Sequence, residues 1–179
     1  SAGGTIRDNV VAYNISLNNG RFAVLHLGGT FSADIQNLSI EHNTIVEKDL
    51  GEGWRHRVFD WLGDEPTKTT LSLRNNIIYA DAFSGIFDSD GFVHEYNLYA
   101  GIWGGTGLNV DLQTGEMISD PVFVDLKTNN FNLNLTSPAV DSGYHLSYTL
   151  DFEQNTVPLG AAPDIGAFEY QSGFSNPTD

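Results

Sequence analysis

Three short segments carry an ionisable residue at what looks like the same place: His26 in "RFAVLHLGG" (21–29), Asp60 in "WRHRVFDWLG" (54–63) and Asp88 in "SGIFDSDG" (84–91). If Leu25, Phe59 and Phe87 turn inward, strand alternation turns His26, Asp60 and Asp88 outward as one column. A His with two carboxylates is a set able to move a proton, to bind hydroxyls or to hold a cation. The plainer alternative is a solvated strand face, because alternation requires polar residues there in any case.

The insertion "GEGWRHRVFDWLGDEP" (51–66) adds a second constellation. Trp54 and Trp61 have the flat apolar faces on which pyranose rings stack, while Arg55, His56, Arg57 and Asp60 offer partners to hydroxyls. The competing reading has one Trp plug the loop onto the body of the protein and the arginines pair with Glu52 and Asp64. Trp103, in "GIWGGTG" (101–107), would extend the platform, since neighbouring strands lie about 4.8 Å apart. Asp88 and Asp90 in "DSDG" begin like a calcium loop but lack the later acidic ligands of a helix-loop-helix site; the calcium alternative is a site shared with neighbouring repeats.

These residues need a scaffold that brings distant segments side by side. Four stretches share one grammar: "TIRDNVVAYN" (5–14), "LSIEHNTIVEKD" (38–49), "LSLRNNIIYAD" (71–81) and "VHEYNLYAG" (93–101). Each reads as a short alternating segment, an Asn, and a second short apolar segment, whereas long 3.6-residue periodicity is missing. Taking Asn9, Asn43, Asn76 and Asn97 as the markers, the repeat predicts stacked strand–turn–strand units. The Asn backbone tolerates the left-handed turn, and the stacked amides bond to one another as a ladder.

Composition limits the partners. Eight Lys+Arg against 23 Asp+Glu give a formal charge of −15. That field repels phosphate backbones, so nucleic acid is not expected; no stretch approaches a membrane span, so no membrane partner is expected either. Neutral polymers, cations or basic partners are the easier ligands. The chain contains no Cys, which excludes disulfides and thiolate metal sites. Ser1 to Gly4 runs straight into a strand pattern, as expected of a segment cut from a longer precursor.

The repeat grammar, together with "SDPVFVD" (119–125), "FNLNLTSPAVDSG" (131–143) and "APDIGAFEY" (162–170), resembles the right-handed parallel β-helix of the pectate-lyase-like superfamily and the anchor-associated segment that closes many secreted bacterial proteins of that kind. The resemblance implies an all-β fold: a short solenoid with an Asn ladder over residues 1–116, a capping segment of the same domain over 117–171, and a linker or tail over 172–179. The cap is expected to cover the last strand edges.

Scaffolds of this kind host many chemistries, so activity must come from the site. The Gly-His-Gly and Arg-x-Lys patterns of polygalacturonase-like hydrolases do not occur, and Lys or Arg bases for a lyase are few. The chain is similar to the β-helical xylan-binding modules of bacterial xylanases. That similarity implies an extracellular, non-catalytic carbohydrate-binding module, covalently linked to a secreted glycoside hydrolase and recognising a plant cell-wall polysaccharide, xylan first. No cofactor is required, with calcium as the one candidate. The alternative is the C-terminal part of a β-helix polysaccharide lyase or glycoside hydrolase.

Overall fold

The computed structural model describes residues 4–27, 34–47, 58–80, 91–101 and 111–173. The described residues form an all-β structure of fifteen strands with no helix. The first repeat contains β1 (Thr5–Arg7), β2 (Val10–Ala12), β3 (Ile15–Leu17) and β4 (Ala23–Leu27). The second contains β5 (Asp34–Gln36), β6 (Leu38–Glu41), β7 (Thr44–Glu47) and β8 (Phe59–Gly63). Then follow β9 (Leu71–Arg74) with β10 (Ile77–Ala80), β11 (Val93–Glu95) with β12 (Leu98–Ala100), and β13 (Met117–Ile118).

Each strand pairs in parallel with its counterpart in the next repeat. One sheet has the order β13-β12-β10-β7-β3 and another β11-β9-β6-β2, while β1 pairs with β5 and β4 with β8. The register is unshifted along each stack: Val11 lies beside Ile40 and Ile40 beside Leu73, with His94 next in the row. Strict alternation turns this row inward, so the centre is filled by Ile40, Ile45, Leu71, Leu73, Ile78, Tyr99 and Phe59.

The turn between the second and third sheet positions depends on two adjacent residues, and they divide the work that the sequence assigns to one. Tyr13, His42, Asn75 and Tyr96 adopt φ of 53, 50, 55 and 55°, and Gly115 has φ 70°. The next residue in each turn supplies the ladder. Asn14 Nδ2 donates to Asn43 Oδ1 at 3.0 Å, Asn43 Nδ2 to Asn76 Oδ1 at 2.9 Å, and Asn76 Nδ2 to Asn97 Oδ1 at 3.0 Å. The first member is therefore Asn14 and not Asn9. Asn9 precedes β2, is exposed, and donates locally to the Arg7 carbonyl at 3.0 Å. The spacings from Asn14 onward are 29, 33 and 21 residues.

Beyond β13 come an antiparallel pair, β14 (Phe123–Asp125) with β15 (Asn130–Leu133), and a long irregular segment. The segment expected as a cap begins with β13, which pairs with β12, and its later residues lie over the outer face of the five-stranded sheet, where Ile165, Ala139 and Leu133 pack on Ile77, Leu98 and Ala100, and Phe131, Ala167 and Phe168 pack on Val46. Four bonds fix it across the left-handed turns: Gly166 N–H to the Asn75 carbonyl, Ala167 N–H to Thr44 Oγ1, Asn75 Nδ2 to the Tyr144 carbonyl, and Tyr144 N–H to Asn75 Oδ1. Because both faces of that sheet are covered, β7 is buried at every position and has lost its polar alternation.

Candidate functional site

The side formed by β4 and β8 carries the sequence candidates that the structure describes. Along β4, Leu25 and Leu27 are buried while Val24 and His26 are exposed, so the inward and outward assignment of Leu25 and His26 holds. The cross-strand alignment does not. Ala23 pairs with Phe59, Val24 with Asp60, Leu25 with Trp61 and His26 with Leu62. His26 and Asp60 are thus two positions apart along the strands, an offset of about 7 Å, and do not stand directly opposite each other. The cause is that the alignment by Gly-ended segments equates Leu25 with Phe59, whereas Phe59 is the first residue of its strand and Leu25 the third of its own.

Trp61 is partly buried. It follows Phe59 by two residues and shares its side of the strand, lying 5.8 Å from the Phe59 ring at 26° and 5.8 Å from Phe92 edge-on. It packs against the central core, a contact that fits the structural alternative. What the β4–β8 side exposes is His26 with two large apolar neighbours, Val24 at 46% and Leu62 at 43%. Trp54, Arg55, His56, Arg57, Asp88, Asp90 and Trp103 lie outside the described residues.

The described ionisable residues with perturbed pKa values are mostly committed to internal bonds. Glu116 closes the ladder: its Oε1 accepts from Asn97 Nδ2 at 2.8 Å and from the Tyr99 hydroxyl at 2.7 Å, and its Oε2 from His94 Nδ1 and the Gln113 N–H, each at 2.9 Å. Burial alone would raise this carboxyl, but the bonds donated by His94, Asn97, Gln113 and Tyr99 outweigh it and hold the pKa below the usual carboxylate value. The same carboxylate, together with burial, drives the Tyr99 hydroxyl well above its ordinary value. An acidic residue suits this end, because a ladder that passes donors in one direction must finish on an acceptor.

His42 occupies the left-handed turn column. Its ring stacks on Tyr13 at 4.7 Å and 8° and meets Tyr148 edge-on at 5.6 Å. Nδ1 faces the Gly166 carbonyl at 3.3 Å and Nε2 faces the Asn75 amide nitrogen at 2.8 Å. A carbonyl only accepts and an amide NH₂ only donates, so the ring is neutral with its proton on Nδ1. Burial pushes its pKa down to about 4, against a smaller upward pull from the Gly166 and Asp164 carbonyls.

In the segment over the sheet, Asp151, Asp164 and Glu169 are buried. They serve as acceptors for loop N–H groups: Asp164 from Asp141 and Tyr170, Glu169 from Leu159 and Asp164, and Asp151 from Glu153, Asn155 and Glu169. Burial raises Asp164 to about 6 and Glu169 to about 7, with the backbone bonds opposing and neighbouring acids adding to the rise. Asp141, Asp164 and Glu169 border a cavity of about 350 Å³. Among the described residues no group of three or more His, Asp or Glu side chains is placed to hold a metal ion.

Comparison with protein-family models and with curated protein sequences found no match for this chain. Sequence reasoning missed Asn14, Glu116 and the Tyr13, His42, Asn75 column. The signal available for the first was the second Asn of "DNVVAYN": Asn14 follows Val11 by three residues, as Asn43 follows Ile40 and Asn76 follows Leu73. No comparable signal marked Glu116, since an acid replaces the amide at the closing position.

Proposed function

We propose that the chain is a short right-handed parallel β-helix acting as a non-catalytic carbohydrate-binding module, secreted by a bacterium as part of a plant-polysaccharide-degrading enzyme. Support for the architecture comes from the repeat-to-repeat parallel pairing and the continuous amide ladder. The observation that carries the binding reading is the β4–β8 side. There the exposed His26 stands between Val24 on its own strand and Leu62 on the next, and the aromatic and arginine-rich insertion leads directly into β8. A sugar ring has apolar C–H faces and a polar rim, and this mixture of apolar and polar groups complements it.

The ligand is a largely neutral polymer, with xylan first. A chain of charge −15 repels polyanions, and the perturbed carboxyls Glu116, Asp164 and Glu169 are engaged by internal donors. Retention should change little with salt, because stacking and hydroxyl bonds release no counterions. Affinity electrophoresis over xylan, β-glucan, mannan, pectin and alginate, with and without chelator, tests the reading. His26→Ala combined with Leu62→Ser should lose retention on the cognate polymer while melting as the parent does. Reducing ends or unsaturated products formed at a catalytic rate, and lost in that double variant, would overturn it in favour of an enzyme.

A further inference from the structure

The loop between β3 and β4 contains Asn19 followed by Gly20. In such a pair the main chain can attack the side chain before it, because glycine has no Cβ to screen its nitrogen. The Gly20 nitrogen loses its proton to solvent base and bonds to Asn19 Cγ, the Cγ–Nδ2 bond breaks, and ammonia leaves. Water then opens the five-membered imide at either carbonyl and gives aspartate or isoaspartate. Nothing is oxidised or reduced, and water is the only co-reactant.

The fold engages both reacting groups. Asn18 and Gly20 have φ of 52 and 71°, a left-handed turn that gathers successive N–H groups around one acceptor. That acceptor is Glu47, the last residue of β7 and only 2% exposed. Its Oε1 accepts from the Asn19 N–H and its Oε2 from the Gly20 N–H, each at 2.9 Å. Asn19 Nδ2 donates to Oγ of the buried Ser16 at 2.8 Å. The attacking nitrogen is thus held against a carboxylate, whose charge opposes the negative charge that the nitrogen must develop. The amide it would attack is tied to a different residue.

We infer that Asn19 is a self-modification site, which Glu47 holds shut in the folded protein and which reacts when the β3–β4 loop leaves Glu47. The change runs one way. Aspartate at position 19 sets a second carboxylate beside Glu47, and isoaspartate lengthens the main chain by a methylene, so neither product restores the original grip. Each opening of this loop therefore risks a permanent loosening of the link between the first and second repeats.

The test holds the chain at mildly alkaline pH and follows conversion by intact mass, isoaspartate methyltransferase labelling and peptide mapping. Position 19 should convert at least about tenfold more slowly in the folded chain than in the free peptide SLNNGRF (16–22), because two bonds to a carboxylate must break first. Amide exchange at Gly20 in the same chain should be slowed along with it. Glu47→Gln keeps the side chain's shape but loses the charge and one acceptor oxygen, and should bring the rate most of the way to the peptide's while circular dichroism shows the variant folded. Ile165→Ala weakens the core elsewhere, keeps both Glu47 bonds, and should convert as slowly as the parent. The comparison of parent with peptide needs no variant, so it decides even where Glu47→Gln does not fold. Conversion of the parent at the peptide's rate, an unchanged rate in folded Glu47→Gln, or equal acceleration by Ile165→Ala would each overturn the inference.

Discussion

Asn76→Ala is the most informative single change, because the ladder geometry states what it removes. Asn76 Oδ1 accepts from the Asn43 N–H at 3.0 Å and from Asn43 Nδ2 at 2.9 Å, and Asn76 Nδ2 donates to the Ile40 and Arg74 carbonyls at 2.9 and 3.0 Å. Asn43 Nδ2 keeps its bonds to the Val11 and Glu41 carbonyls, so only the Asn43 N–H is stranded without its acceptor. A buried, unsatisfied backbone donor costs about 1–3 kcal/mol, and two weakened carbonyl bonds add about 1 kcal/mol or a little more. The expected loss is ~3 kcal/mol, which for a chain of this size lowers Tm by roughly 6–12 °C.

The same reasoning predicts a gradient along the stack. Asn14→Ala leaves Asn43 Oδ1 with the Asn14 N–H as donor and removes one exposed and one part-buried bond, so the cost should be about 1 kcal/mol at most. Asn9→Ala removes one exposed local bond and should fall within about 0.5 kcal/mol of the parent. Urea unfolding followed by circular dichroism, with thermal melts alongside, measures all three under one protocol. Equal destabilisation by Asn76→Ala and Asn9→Ala would refute the ladder as the source of the effect.

His42 gives a pH test. Its folded pKa lies near 4, below the unfolded value of about 6.5, so the stability tied to its neutral form is complete above pH 6.5 and is lost as pH falls towards 4, by ~3 kcal/mol. Asp164 and Glu169 act oppositely: raised to about 6 and about 7, they contribute stability below their unfolded values that is lost as pH rises through their folded ones. His42→Asn, which suits the left-handed turn, should therefore be less stable than the parent at pH 7, with the gap closing by ~2–3 kcal/mol on titration to pH 4. Gly166→Ala should cost ~2 kcal/mol or more and make the segment after β13 susceptible to limited proteolysis, because φ is +106° and a Cβ would lie 2.7 Å from Ile77 Cδ1 and 3.0 Å from Thr44 Oγ1. Trp61→Ala should lower stability by ~2 kcal/mol through lost packing on Phe59 and Phe92, and an unchanged melting curve would return Trp61 to a surface role.

Legibility in the sequence followed the physics of each element. Period-two apolar pairs such as Leu38 and Ile40, or Leu71 and Leu73, are visible locally and correctly placed the inward rows. The turns were harder, because two adjacent residues carry separate duties there. A left-handed backbone at Tyr13 or Tyr96 contradicts ordinary side-chain preference, so nothing in those residue types announces it. The placement of the segment after β13 was hidden for another reason. Ile165, Ala167 and Phe168 declare a buried surface but not which surface, and only the apolar and aromatic runs of β10 and β12, without polar alternation, hint that their sheet is covered twice. The register of β4 and β8 is not legible from the Gly that ends both segments, because Phe22 packs on Phe59 and the pairing starts at Ala23 with Phe59.

The distribution of covered surface narrows where a ligand can act. The outer face of the five-stranded sheet is occupied by the chain's own later segment. On the four-stranded sheet most outward polar residues have partners: Ser39 bonds Ser72 at 3.1 Å, Arg74 pairs with Glu95 at 3.1 Å, and Tyr148 of the later segment donates to Glu41 at 2.6 Å, while Val10 stands exposed at the end of the row. A ligand covering the bonded positions would desolvate groups that already have partners. On the β4–β8 side the exposed Val24 and Leu62 lose no such partners when covered, so their burial contributes its full hydrophobic free energy. That difference, and not the number of aromatic residues in the sequence, is the physical reason for placing the proposed polysaccharide surface around His26.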